Sequence, residues 1–133
     1  MASKITTFLM FEGKAEEAMT FYVSLFKNSG ITSIKRYGAG DAGAEGSVMQ
    51  ATFTLNGEDF MCIDSPVKHA FTFTPATSLF VDCESEDEVG ELFAKLGAGG
   101  HVLMPLGTYP FSRKFAWIAD RYGVSWQLNL PNA

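Results

Sequence analysis

Cysteine is scarce in this chain: Cys62 and Cys83 are the only two. Two thiols make no disulfide framework, and neither a Cys-x-x-Cys pair nor the Cys/His spacing of a zinc site is present. Histidine is equally rare. His69 and His101 fall in or near expected loops, away from acidic residues at ligand spacing, and read as surface residues. Positive charge is also short, with 10 Lys and Arg against 15 Asp and Glu and a net charge of −5. A nucleic-acid binder needs a basic stripe to neutralise phosphates, and Lys35-Arg36 and Arg113-Lys114 are isolated pairs. Neither nucleic acid nor an anionic membrane surface is therefore an expected partner. No apolar run approaches the roughly 20 residues of a membrane helix. The opening residues pass from Lys4 through a short mixed segment into Glu12, which is unlike a secretory leader. The expected compartment is the cytoplasm, with both thiols reduced.

What the chain does have is apolar and aromatic surface to bury. Its 133 residues are 47% hydrophobic and include 12 Phe, enough for a folded core. The pattern runs twice. An apolar strand at Ile5–Phe11 leads into a helix expected from about Lys14 to Lys27. A second strand at Ser78–Asp82 leads into a helix expected from about Glu86 to Leu96. Laid over each other, Glu17, Ala18, Phe21, Tyr22 and Leu25 fall on Glu88, Val89, Leu92, Phe93 and Leu96. Both helices carry apolar residues at i, i+3, i+4 spacing. Ser85-Glu86-Asp87-Glu88 has the form of a capping box. Strands follow each helix: Ile31–Tyr37, Val48–Leu55 and Glu58–Asp64 in the first half, Lys114–Ala119 and Val124–Leu130 in the second. Asn56-Gly57 is a hairpin signal. The glycine-rich stretch Gly38–Gly46 reads as a mobile loop, and Met104–Pro110 as a loop broken by proline and glycine. The expectation is an α+β protein of two tandem βαβββ modules, forming a curved mixed sheet with helices on the outer face. It covers 1–133 as a single domain, with modules at about 1–66 and 76–133 and a Phe-bearing linker at 67–75.

Helices on one side leave the other side of the strands for a ligand. Thr7, Gln50, Thr52, Cys62, Ser78 and Gln127 are expected there. Such a face is either a binding cleft or a surface that is solvated or closed by a partner subunit. Trp117, with Tyr109 and Phe111, forms either an aromatic wall for a planar ligand or loop packing. Trp126 shares a face with Leu128 and reads as core. Cys62 reads as a buried filler, because no positive group stands near it in sequence to stabilise a thiolate. Asp64, followed by Ser65-Pro66, reads as the cap of the next turn.

Phe11-Glu12-Gly13-Lys14-Ala15-Glu16-Glu17-Ala18 leads into Phe21-Tyr22 and Leu25-Phe26. Much later comes the run from Phe115 to Leu128, with its Asp120-Arg121-Tyr122-Gly123 turn and Ser125-Trp126-Gln127-Leu128. Together these segments resemble the PhnB-like branch of the glyoxalase/bleomycin-resistance superfamily, also called vicinal oxygen chelate proteins. That branch is often labelled 3-demethylubiquinone 3-methyltransferase-like. The resemblance implies the tandem βαβββ fold, pairing of subunits into a homodimer and, for the superfamily's enzymes, a divalent metal held by His and Glu on the first and last strands of each module. At the matching positions stand Thr7, Cys62 or Gln50, Ala76 or Ser78, and Gln127. None is His or a carboxylate, so the set has too little negative charge to hold a dication. A methyl donor of the nucleoside type is bound by a strand, a glycine-rich turn and a helix, and Gly38-Ala39-Gly40 runs into more loop instead. The expected function is a metal-independent small-molecule binding protein needing no cofactor, its ligand unspecified. The alternatives are an enzyme of the same superfamily with a degenerate or atypical metal site (lyase, dioxygenase or transferase type), or a module whose main task is dimerisation.

Overall fold

A computed structural model describes all of residues 1–133. The chain divides into two compact units, Met1–His69 and Ala70–Ala133. The first holds β1 (Thr7–Phe11), α1 (Ala15–Leu25), β2 (Gly30–Arg36), β3 (Val48–Leu55) and β4 (Glu58–Asp64). The second holds β5 (Leu79–Asp82), α2 (Glu86–Gly97), β6 (His101–Tyr109), β7 (Ser112–Ala119) and β8 (Ser125–Leu130). Each unit is a βαβββ module with a four-stranded mixed sheet, ordered β1-β4-β3-β2 in the first and β5-β8-β7-β6 in the second. The first and last strands of each module, β1 with β4 and β5 with β8, pair in parallel. The remaining neighbours are antiparallel.

In the first unit α1 buries Ala15, Ala18, Met19 and Tyr22, the stripe its spacing predicts. It stops at Leu25, two residues earlier than expected, where Phe26 turns extended and Asn28 adopts a φ of 54°. Cys62 Sγ lies 3.9 Å from Met19 Sδ, which marks the helix-covered side of the sheet. Strand alternation and register put Leu9, Ala51 and Phe53 on that side too. The β3–β4 hairpin turns on Asn56 and Gly57, both left-handed at φ 52° and 82°, as a two-residue primed turn requires.

In the second unit Val89, Leu92 and Leu96 of α2 are buried. Ala116, Ile118, Trp126 and Leu128 of the sheet are buried with them. The serine half of the capping box forms, with Ser85 Oγ accepting from Glu88 N at 3.1 Å, while Glu88 Oε1 reaches one residue further back and accepts from Glu84 N at 2.7 Å. Asp120 organises the β7–β8 turn, accepting from the amides of Tyr122 and Val124 and from Trp126 Nε1 at 2.9 Å.

Two expectations are corrected. Met104–Pro110 is not a loop; most of it belongs to β6, which pairs with β7 through three register shifts. A strand tolerates Pro105 and Gly107 there because β6 is at the sheet edge, where one missing N–H breaks no second ladder. The glycine stretch is also held. Tyr37 N donates to Ser47 O, Gly46 N to Tyr37 O, Gly38 N to Asp41 Oδ2 and Arg36 Nη1 to Gly46 O. Gly43 packs so tightly on the Tyr37 ring that a Cβ would lie 2.4 Å from it.

Candidate ligand-binding face

The side of each sheet turned away from its helix is where the sequence pattern places ligand-facing groups. Register sorts the candidates. In the first unit Gln50 and Thr52 lie on that side. Gln50 Nε2 reaches Met61 Sδ at 3.5 Å, and Thr52 Oγ1 is 2.6 Å from both Thr32 Oγ1 and Ser33 Oγ. Phe8, half exposed, pairs with Met61 and shares the face.

Thr7 and Cys62 do not lie there. Thr7 pairs with Phe60, whose ring stacks on buried Phe53 at 5.3 Å, so it belongs to the helix side at the strand's exposed start. Cys62 pairs with Ala51 and Leu9 and is fully buried under α1. The physical reason is parity: side chains two apart share a face, and Cys62 follows the apolar series of its partners. Burial and the nearby Asp64 carboxylate push the Cys62 thiol up to about 12. The thiol therefore stays protonated at neutral pH and is no nucleophile.

Asp64 is a cap, but not of the turn that follows it. It is 4% exposed, and its Oδ1 accepts from Gly13 N at 2.8 Å and Ala15 N at 2.9 Å, at the start of α1. Its Oδ2 accepts from Val48 N at 3.0 Å. Lys14, the residue at the helix start, supplies no side-chain cap. A hollow of about 240 Å³ opens beside this point, lined by Glu12, Gly13, Ser47, Asp64, Val67 and Lys68 among others. Both Asp64 oxygens are already committed to backbone amides.

The second unit brings three candidates into one network. Trp117 and Gln127 are cross-strand partners on β7 and β8, and Gln127 pairs with Phe80 on β5. Trp117 Nε1 donates to Ser125 Oγ at 2.8 Å, Ser125 Oγ is 2.7 Å from Ser78 Oγ, and Gln127 Nε2 donates to Ser78 Oγ at 3.2 Å. Rings flank this polar line: Phe80 and Phe115 with centroids 6.4 Å apart, and Tyr109 and Phe111 at 5.8 Å and 5.0 Å from Phe115. Ser125 and Phe80 are additions to the expected site residues. The signal for them is present in the sequence, since Ser125 alternates with Gln127 and Phe80 with Ser78.

Residues 3–129 match the family profile for 3-demethylubiquinone-9 3-methyltransferase. The chain belongs to that family. A PhnB protein from Bacillus cereus is 66% identical to this family member, covers 96% of it and 99% of its own chain, and superposes with a TM-score of 0.94. PA1353 from Pseudomonas aeruginosa is 25% identical over 99% of this chain and 100% of its own, with a TM-score of 0.85. FosX from Listeria monocytogenes is a fosfomycin resistance protein, solved as a point mutant with Mn(II) and 1S,2S-dihydroxypropylphosphonic acid. It is 13% identical over 99% of this chain and 95% of its own. Its TM-score of 0.67 shows the shared glyoxalase/bleomycin-resistance fold alone. No curated protein matches the chain.

The fold raises the question of a divalent metal, and the residues of this family member do not fit one. Thr7 and Cys62 lie on the helix side, and the Cys62 thiol is held protonated, whereas metals bind the thiolate. Ser78 and Gln127 are neutral and already bonded to each other. No three His, Cys, Asp or Glu side chains converge. Such donors cannot repay the dehydration of a dication.

Proposed function

We propose that this chain is a metal-independent binding protein for a small organic molecule, taken up on the helix-free face of a βαβββ sheet. The observation that carries this reading is the neutral line Trp117–Ser125–Ser78–Gln127 set among aromatic rings. Apolar walls with a few placed polar groups are the usual make-up of a small-molecule site.

The family name speaks of methyl transfer, and the fold argues for binding without it. A nucleoside methyl donor is held at the end of a parallel sheet by a glycine turn that opens a helix. Here each sheet is mixed with one parallel pair, and the glycine run after β2 leads into β3.

The working form in this proposal is a cytoplasmic homodimer. Phe8 and Phe71 are each at least half exposed, apolar area that a two-fold partner would cover. No helix is long and apolar enough to cross a membrane.

The test is a thermal-shift screen of aromatic, thiol-containing and antibiotic-like compounds, with and without a chelator. A true ligand raises Tm by mass action, and chelation leaves both Tm and the ligand shift unchanged. A Tm that collapses on chelation would overturn the reading. Light scattering checks the dimer, and a monomer at micromolar concentration would refute that part.

A further inference from the structure

The hydrogen-bond line on the second sheet has a spare end, and counting protons locates it. Indole is a donor only, and the Trp117 N–H is committed to Ser125 Oγ. One serine hydrogen lies between Ser125 Oγ and Ser78 Oγ, 2.7 Å apart. If Ser125 donates it, Ser78 accepts from both Ser125 and Gln127, and the Ser78 hydrogen is left over. If Ser78 donates it, Ser125 accepts from both Trp117 and Ser78, and the Ser125 hydrogen is left over. Either way one hydroxyl hydrogen has no partner within the line. The Gln127 side-chain carbonyl likewise accepts nothing within it. A free donor therefore stands beside a free acceptor.

Charge completes the description. Ser78, Phe80, Phe115, Trp117, Ser125 and Gln127 carry no formal charge, and Ser125 and Phe115 are each only 2% exposed. An anionic head group at Ser78 and Gln127 would give up part of its water, meet no cationic side chain in this line, and share its side of β5 with the Asp82 carboxylate. Resting on the binding reading above, we infer that this face selects an uncharged, planar ring compound carrying a carbonyl-type oxygen next to an N–H or O–H. The ring lies along Phe80 and Trp117, the carbonyl takes the spare serine hydrogen, and the ligand's donor meets the Gln127 carbonyl. Carboxylates and phosphonates are rejected.

Benzamide, benzoate and toluene share one ring and differ in the head group, and they test the inference directly. Trp117 is the reporter. Trp126 is 1% exposed, with its indole bonded to Asp120, and supplies a constant background. Benzamide is expected to change the tryptophan emission with a Kd on the order of millimolar, as suits so small a ligand. The change disappears in Trp117→Phe, and benzoate binds at least about tenfold more weakly. Gln127→Leu weakens benzamide about tenfold and leaves toluene unaffected. If benzoate matches benzamide, or Gln127→Leu binds benzamide normally, the inference falls while ring binding stands. If none of the three compounds changes emission or Tm, the binding reading falls as well.

Discussion

In the first unit the amides that open α1 are held by a carboxylate arriving from the far end of the fourth strand, 51 and 49 residues later in the chain. In the second, the amides at the start of α2 are held by Ser85 and Glu88 of the same turn. The two modules share one plan and differ in how they secure it. A local cap lets a helix end be set by its own turn. A distant cap ties the helix start to β4, and through Val48 to β3, so that helix and sheet must be assembled together. The repeated architecture is thus kept by non-equivalent contacts, and removing them should have unequal effects.

Asp64→Ala should be the most damaging change. It strands three amides, and each unsatisfied buried group costs about 1–3 kcal/mol, so a loss of about 3 kcal/mol or more is expected in urea unfolding. Asp64→Asn, which keeps one acceptor oxygen, should recover part of it. If Asp64→Ala costs no more than Ser85→Ala, the distinction between the two caps collapses.

Alkaline pH comes next and strikes both modules. Burial first, then nearby carboxylates, push Cys62 and Cys83 from 9.0 up to about 12. Between these values the unfolded thiol releases its proton and the folded one keeps it, so stability falls as pH rises above 9. The loss should be about 1 kcal/mol per thiol between pH 9 and roughly pH 10. Replacing either cysteine with alanine should remove its half of the slope, read from urea midpoints across alkaline buffers.

Ser85→Ala should cost about 1 kcal/mol, the usual value for a lost serine cap. The smallest effect belongs to Glu16→Gln. The hydrogen bond from Arg36, at 2.7 Å and 2.8 Å to the two oxygens, holds the Glu16 carboxyl below its ordinary range. Its contribution is present above the unfolded pKa and fades as pH falls through the folded value. The pair is exposed, so salt should erase the difference between Glu16→Gln and wild type in a thermal melt.

These contrasts also mark what the amino-acid order can convey. The Ser85 box, the Asn56-Gly57 turn and the apolar stripe of α2 are local signals, each contained in a short stretch of chain, and they are legible. Asp64 reads from sequence as the cap of its own following turn because its true partners lie on elements it does not adjoin in the chain. Alternation alone puts Cys62 and Thr7 on the wrong face for a related reason. Facing is fixed by cross-strand partners, Ala51 and Phe60 respectively, and partners are set by register. Ser78, Trp117 and Gln127 are readable individually by alternation. Their meeting depends on aligning three strands, which also brings in Ser125. β6 is disguised because Pro105 and Gly107 are breaker signals everywhere except along a border strand.

That border has a bearing on how the protein behaves at high concentration. A strand that lacks an amide at Pro105 and slips register three times offers an incoming peptide a ladder with missing and misaligned rungs. A neighbouring molecule trying to extend the sheet at this side would find no continuous template. The same irregularities that make β6 look like a loop thus make this one edge a poor template for stacking.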